Sequence, residues 1–191
     1  MPLLQKDEGQ KYTYADTLSW PNKERWELID GRPYDMTPAP TTRHQQIAAR
    51  FYTRLEACLE GKSCVPFIAP TDVVLSQHDV VQPDLFVVCD GTKITKANIQ
   101  GVPDVVVEVM SPATALKDRR EKKALYERFG VREYLLIDPD GEYVERFIRQ
   151  EDGLFGKGEI FSPRDGLVLH AIPEVTINLW EVFQVGKTED A

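Results

Sequence analysis

Residues 103–114 read PDVVVEVMSPAT, an apolar run bounded by Pro103 and Pro112 and interrupted by one acid, Glu108. A short Val-rich run between prolines suits a central strand buried on both faces. An ionised carboxylate inside such a strand is costly to desolvate unless something compensates it. A second run, VVQPDLFVV at 80–88, carries the same anomaly at Asp84. Pro83 cannot donate to a ladder, so it predicts a bend or edge beside that acid. Two carboxylates converging from adjacent strands form a hard-oxygen site suited to Mg²⁺ (or Mn²⁺), which completes its shell with waters and phosphate oxygens. The competing reading is that Asp84 caps a turn and Glu108 pairs with an arginine.

On the N-terminal side, residues 1–12 are polar and expected to fray, and TYADTLSW at 13–20 predicts a short helix stopped by Pro21. ERWELIDGRPYDM at 24–36 reads as a hairpin around Asp30-Gly31, a dipeptide that supplies the positive φ angles of a tight turn. From Thr42 to about Glu60, Ile47, Phe51, Leu55 and Leu59 recur every fourth residue, and Thr42 with Gln45 has capping-box spacing. TDVVLS at 71–76 is β-rich and is separated from the 80–88 run by Gln77-His78-Asp79.

On the C-terminal side, Asp118–Phe129 predicts a helix with Asp118 as N-cap, Glu121 in the capping-box position and Gly130 as its stop. REYLLID at 132–138 and EYVERFIRQ at 142–150 follow as strands around a turn, then GEIF, LVLHAI and VTI, and a one-turn helix near NLWEVF with Asn178 as its cap. The order predicts an α/β (α+β) layer, a mixed sheet flanked by helices. At 191 residues, with no repeat or long linker, residues 13–185 are expected to form a single domain, followed by a polar tail at 186–191.

The helix at 118–129 holds a further clue. Residues 122, 125, 126 and 129 share a helical face and read Lys, Leu, Tyr, Phe. Lys122 is the charged member of that stripe, directed toward the two acids or else snorkelling to water, whereas Lys123 turns to the solvated face with Glu127. If Lys122 acts by charge alone, replacing it with Met is expected to leave the fold intact.

Apolar residues make up 42% and charged residues 28%, with no long apolar run, which excludes disorder and a membrane-spanning helix. The start lacks the features of a secretory signal, and Cys58, Cys64 and Cys89 form no CxxC pair, so a cytoplasmic protein with reduced thiols and no structural zinc is expected. The formal net charge of −8 is unfavourable for phosphate binding, yet residues 114–132 carry seven basic against three acidic residues.

These residues resemble the Uma-two family of restriction-endonuclease-like proteins. The resemblance rests on WELIDG at 26–31, the helix led by His44, QPDLFVV at 82–88, PDVVVEVMSPAT at 103–114, the series Asp118, Lys122, Tyr126, and GVREYLLIDP at 130–139. It implies the PD-(D/E)XK nuclease fold, with Asp84 as the motif Asp and Glu108 as the motif acid. Met110 stands where the superfamily lysine usually lies, and Lys122 on the following helix is the matching substitute. Glu27 and His44 match the remaining polar positions. Glu27 is either a third acid of the site or an exposed strand residue; His44 either orients Glu27, contacts phosphate, or is a hydrogen-bonded core histidine.

The expectation is a metal-dependent endonuclease that hydrolyses DNA, with Asp84, Glu108, Lys122, Glu27 and His44 as its site and a homodimer by analogy with enzymes that cut both strands. The alternative is a catalytically inactive module on the same fold that binds nucleic acid or a protein. A hydrolase using Ser111 with His44 is disfavoured, because Ser111 lacks a nucleophile elbow and precedes Pro112.

Overall fold

The structure is a computed structural model that describes residues 9–20, 25–36 and 39–186. The expectations for residues 1–8, Pro21 and 187–191 lie outside the described residues. Tyr12 N–H donates to Gly31 O at 2.8 Å, so the chain is already hydrogen-bonded there.

A short helix α1 (Tyr14–Thr17) starts at Thr13, whose side chain accepts from Asp16 N. Strands β1 (Trp26–Ile29) and β2 (Arg32–Asp35) form the expected hairpin, with Asp30 at φ 52° and Gly31 at φ 73°. Helix α2 spans Thr42–Leu59 and buries His44, Ile47, Phe51, Leu55 and Leu59 on one face. Its cap is Thr41 rather than Thr42: Thr41 Oγ1 accepts from His44 N at 3.2 Å, because Thr42 is already helical.

Strands β3 (Val65–Ile68), β4 (Val73–Ser76), β5 (Asp79–Val81) and β6 (Leu85–Val88) follow, then β7 (Ile99–Gln100) and β8 (Val105–Val109). The run at 80–88 is thus two strands: β5 and β6 belong to different sheets, and Gln82-Pro83-Asp84 makes the crossing. Next come helix α3 (Ala115–Lys117), a π turn (Asp118–Lys122) and helix α4 (Lys123–Phe129), closed by Gly130 at φ 86°. Strands β9 (Glu133–Asp138), β10 (Tyr143–Ile148), β11 (Glu159–Phe161), β12 (Gly166–Val168) and β13 (Thr176–Asn178) and helix α5 (Leu179–Phe183) complete the order. Asn178 precedes α5 without a side-chain capping bond, being the last residue of β13.

One sheet has the order β11-β10-β9-β8-β6-β3, a second β2-β1-β5-β4-β7, and β12 and β13 form a two-stranded third. In the first, β8 and β9 are parallel while the other pairs are antiparallel. Every residue of β8 is buried, as a strand covered on both faces requires. Val105, Val107 and Val109 pack with α2 and α5; Val106 and Met110 pack with Leu125, Tyr126 and the second sheet. Glu108 shares the second face, because side chains alternate along a strand. This is the expected mixed α/β architecture.

The cysteine expectation is corrected. Cys64 and Cys89 form a disulfide and Cys58 is free. The two bonded residues extend the β3–β6 ladder just past the Val65–Val88 pair, a juxtaposition created by strand pairing that their 25-residue separation conceals.

Candidate active site

The site begins where Pro83 releases the chain from one sheet into the other. Asp84 lies at this junction and Glu108 on the neighbouring strand β8. Asp84 Oδ2 accepts from Val109 N at 2.8 Å and from the His44 ring at 3.1 Å, and Asp84 N lies 3.4 Å from Glu108 Oε2. Glu108 Oε1 takes two donors, Lys122 Nζ at 2.8 Å and Tyr126 OH at 2.7 Å. The Lys122 ammonium also lies 2.8 Å from Glu27 Oε1 and 4.0 Å from Asp118 Oδ1. Lys117 Nζ contacts the second Glu27 oxygen at 2.8 Å, and Gln82 N donates to the first at 3.1 Å. All five expected residues therefore share one network, running His44, Asp84, Glu108, Lys122, Glu27.

The π turn sets the helical side of this network. An α-helix places residues 118 and 122 a little over one turn apart, while an i→i+5 turn widens the register so that 117, 118 and 122 all reach inward. The turn is braced from below by Tyr134 OH, which donates to Asp118 O at 3.0 Å.

Charge is unevenly compensated. Glu27, Asp84, Glu108 and Asp118 face the two ammonium groups of Lys117 and Lys122. Burial pushes the Glu108 carboxyl up to about 8, Asp118 and Asp84 adding to the rise and Lys122 opposing it. Burial acts on Glu27 too, but there Lys122 and Lys117 together outweigh it and hold the group below its ordinary value. The two acids share Lys122 and diverge because Glu27 has a second lysine. Burial disfavours the Lys122 charge, yet Glu108, Glu27 and Asp118 raise its pKa well above the usual value, so it remains an ammonium. His44 is likewise raised: the Asp84 hydrogen bond and charge exceed the effect of burial.

Several alternatives are now decided. Glu27 is fully buried rather than an exposed strand residue, and Lys122 is buried rather than snorkelling. His44 is hydrogen-bonded to Asp84 rather than to Glu27 among the described residues. Asp118 is buried in the π turn and is not a helix cap, since helix already precedes it. Lys123 is half-buried, its ammonium 3.9 Å above the Phe147 ring, instead of fully solvated. Ser111 Oγ pairs with Thr114 Oγ1 while His44 pairs with Asp84, so no Ser–His couple forms. The sequence reading missed Lys117 and Gln82 altogether. Lys117 lay outside the expected helix, and nothing in an α-helical register aligns it with Lys122.

A family model described as "Uma2: Putative restriction endonuclease" matches residues 14–179. The chain belongs to the Uma2 family. The match includes all five expected site residues. An uncharacterized protein of Synechocystis sp., slr1290, is 28% identical over 149 residues, covering 75% of this chain and 77% of its own. Among solved structures, the crystal structure of "a putative nuclease belonging to DUF820" from Anabaena variabilis superposes with a TM-score of 0.72 at 19% identity, covering 90% of this chain and 97% of that one. At that identity the likeness concerns the fold, which this Uma2 chain shares. No helix among the described residues is long and apolar enough to cross a membrane.

Proposed function

We propose that the protein is a divalent-metal-dependent endonuclease that hydrolyses DNA phosphodiester bonds, with Asp84 and Glu108 holding the cation. The observation that supports this best is the convergence of Asp84, Glu108 and Lys122, from three separate segments, in one cluster whose acids outnumber its lysines. The donor set fits a hard cation. One oxygen of each acid is already occupied, Asp84 Oδ2 by Val109 N and His44 and Glu108 Oε1 by Lys122 and Tyr126. Among the described residues Asp84 Oδ1 takes no hydrogen bond and Glu108 Oε2 takes only the long one from Asp84 N at 3.4 Å, so these two oxygens would face a cation. Among the described residues no group of three or more His, Cys, Asp or Glu side chains is arranged to hold an ion; Mg²⁺ (or Mn²⁺) takes one or two protein carboxylates and completes its shell with waters and phosphate oxygens, which the Asp84–Glu108 pair would allow.

A bound Mg²⁺ supplies Lewis-acid chemistry, polarising a phosphoryl oxygen and lowering the pKa of water. The chain's own residues hold this arrangement in register. His44 and the Val109 N–H fix the Asp84 carboxylate, and Tyr126 and Lys122 fix Glu108; such supporting bonds are what keep a ligand in its working orientation. Lys122 stays charged and offsets negative charge that builds during phosphoryl transfer, the work Met110 cannot do. DNA is the proposed substrate and the cytoplasm the proposed location, and a homodimer would bring two such sites to two strands.

The second reading, a nuclease-fold module that binds without cutting, is favoured by the formal net charge of −8. Nicking of supercoiled plasmid at low salt with Mg²⁺ or Mn²⁺ separates the two. The proposal expects nicking by the wild type and its loss in Asp84→Asn. A wild type that binds plasmid and never nicks it supports the binding module.

A further inference from the structure

The helical segment places two lysines on one buried carboxylate. Lys122 and Lys117 each lie 2.8 Å from a different oxygen of Glu27. Residues five apart fall on different faces of an α-helix but nearly above one another across an i→i+5 turn, so the π turn at Asp118–Lys122 is what lets both side chains reach the same acid. Such turns are held at a cost to helix geometry and recur at functional sites.

One ammonium suffices to neutralise one carboxylate, and the two lysines are not equivalent. The Lys122 side chain is 4% exposed and its ammonium is committed to Glu27 and Glu108, with Asp118 beyond. Withdrawing it toward a ligand would leave buried acids uncompensated. The Lys117 side chain is 16% exposed, its ion-pair partner among the described residues is Glu27, and it lies 5.6 Å above the Tyr34 ring at the edge of the cluster. An ammonium has three donors, so one bond to Glu27 leaves donors for another oxygen. Two of the neighbouring cations are engaged elsewhere, Arg119 with Glu145 and the Tyr143 hydroxyl and Lys123 with the Phe147 ring, while Arg120 is exposed and makes no contact with Glu27 among the described residues.

We infer that Lys117 binds a backbone phosphate oxygen of the nucleic acid at the mouth of the cluster, held in position by Glu27 and the π turn. This rests on the endonuclease reading above. Lys122 is then the inner, charge-balancing lysine and Lys117 the one that meets substrate.

The test is the salt dependence of DNA binding, read by fluorescence anisotropy of a labelled duplex with Ca²⁺ replacing Mg²⁺ and the duplex checked for integrity afterwards. Each phosphate neutralised by a lysine contributes about 0.9 to the slope of log affinity against log salt. Lys117→Met and Lys117→Gln are expected to lower the slope's magnitude by about 1, so that the affinity lost between about 50 and 200 mM salt shrinks about fourfold. Lys117→Arg, which keeps the charge, is expected to retain the wild-type slope. If Lys117 only neutralises Glu27, the Met and Gln variants melt earlier while their slope equals that of the wild type, and the inference is overturned with the endonuclease reading intact. A wild type with no measurable affinity for the duplex overturns both.

Discussion

Replacing Lys122 by Met removes an ammonium that is 2.8 Å from both Glu27 and Glu108 and 4.0 Å from Asp118, all of them buried. The expectation from sequence that this change spares the fold does not survive the geometry. Breaking a buried ion pair by deleting one partner costs about 3–5 kcal/mol, because the remaining charges lose their compensation without regaining water. Lys117 still holds Glu27, and the Glu108 carboxyl is itself pushed up to about 8 by burial, which together favour the lower end of that range. The adjacent Lys123→Met removes only a contact over the Phe147 ring, worth about 0.5–1 kcal/mol. The same substitution at consecutive positions is therefore expected to differ severalfold. The pH dependence follows from Glu27, whose folded pKa lies below its ordinary 4.5 because of Lys122 and Lys117. A depressed carboxyl contributes stability above its unfolded pKa and loses it as pH falls, so the gap between Lys122→Met and wild type should narrow below about pH 4.5. Urea denaturation of both variants and the wild type at several pH values measures this. A loss under about 1 kcal/mol in Lys122→Met, or equal losses in the two variants, would refute the buried-pair account.

The remaining predictions concern the acids and their supports. Glu108 is raised from 4.5 to about 8, so the native metal-free protein binds its proton more tightly than the unfolded chain does; stability should fall as pH rises from about 5 to about 8. Melting temperatures in EDTA should show that fall and Glu108→Gln should flatten it, whereas a wild-type profile flat or rising through the window contradicts the assignment. His44→Ala removes the ring that holds Asp84 and is expected to weaken Mn²⁺ binding about 10–100-fold, the range for such supporting residues. Unchanged calorimetric affinity in that variant would leave His44 as a core residue only.

The local signals in the sequence that proved legible are those whose physics is local. The Asp30-Gly31 turn needs positive φ angles, Gly130 ends a helix in the left-handed region, and a Val-rich run between prolines is a buried strand wherever it falls. Asp84 and Glu108 were visible because an acid inside an apolar run demands an explanation. What the sequence hid depends on pairing across the chain. Nothing within 80–88 says that its halves enter different sheets, nor within Cys64 and Cys89 that their strands are neighbours. The π turn defeats helical periodicity at the place where the site needs it, so Asp118 looked like a cap and Lys117 like a loop residue. Glu27 alternates with apolar neighbours as an exposed strand residue would, and only the helix packed over it makes it buried.

The central claim is that Asp84 and Glu108 together hold one divalent cation. Calorimetric titration of Mn²⁺ into metal-free protein at about pH 8, the value to which burial pushes the Glu108 carboxyl, tests it most directly. The account predicts saturable binding in the wild type and markedly weaker binding in Asp84→Asn, because one charged oxygen ligand is gone while the fold is kept. Equal affinity in wild type and Asp84→Asn would contradict it.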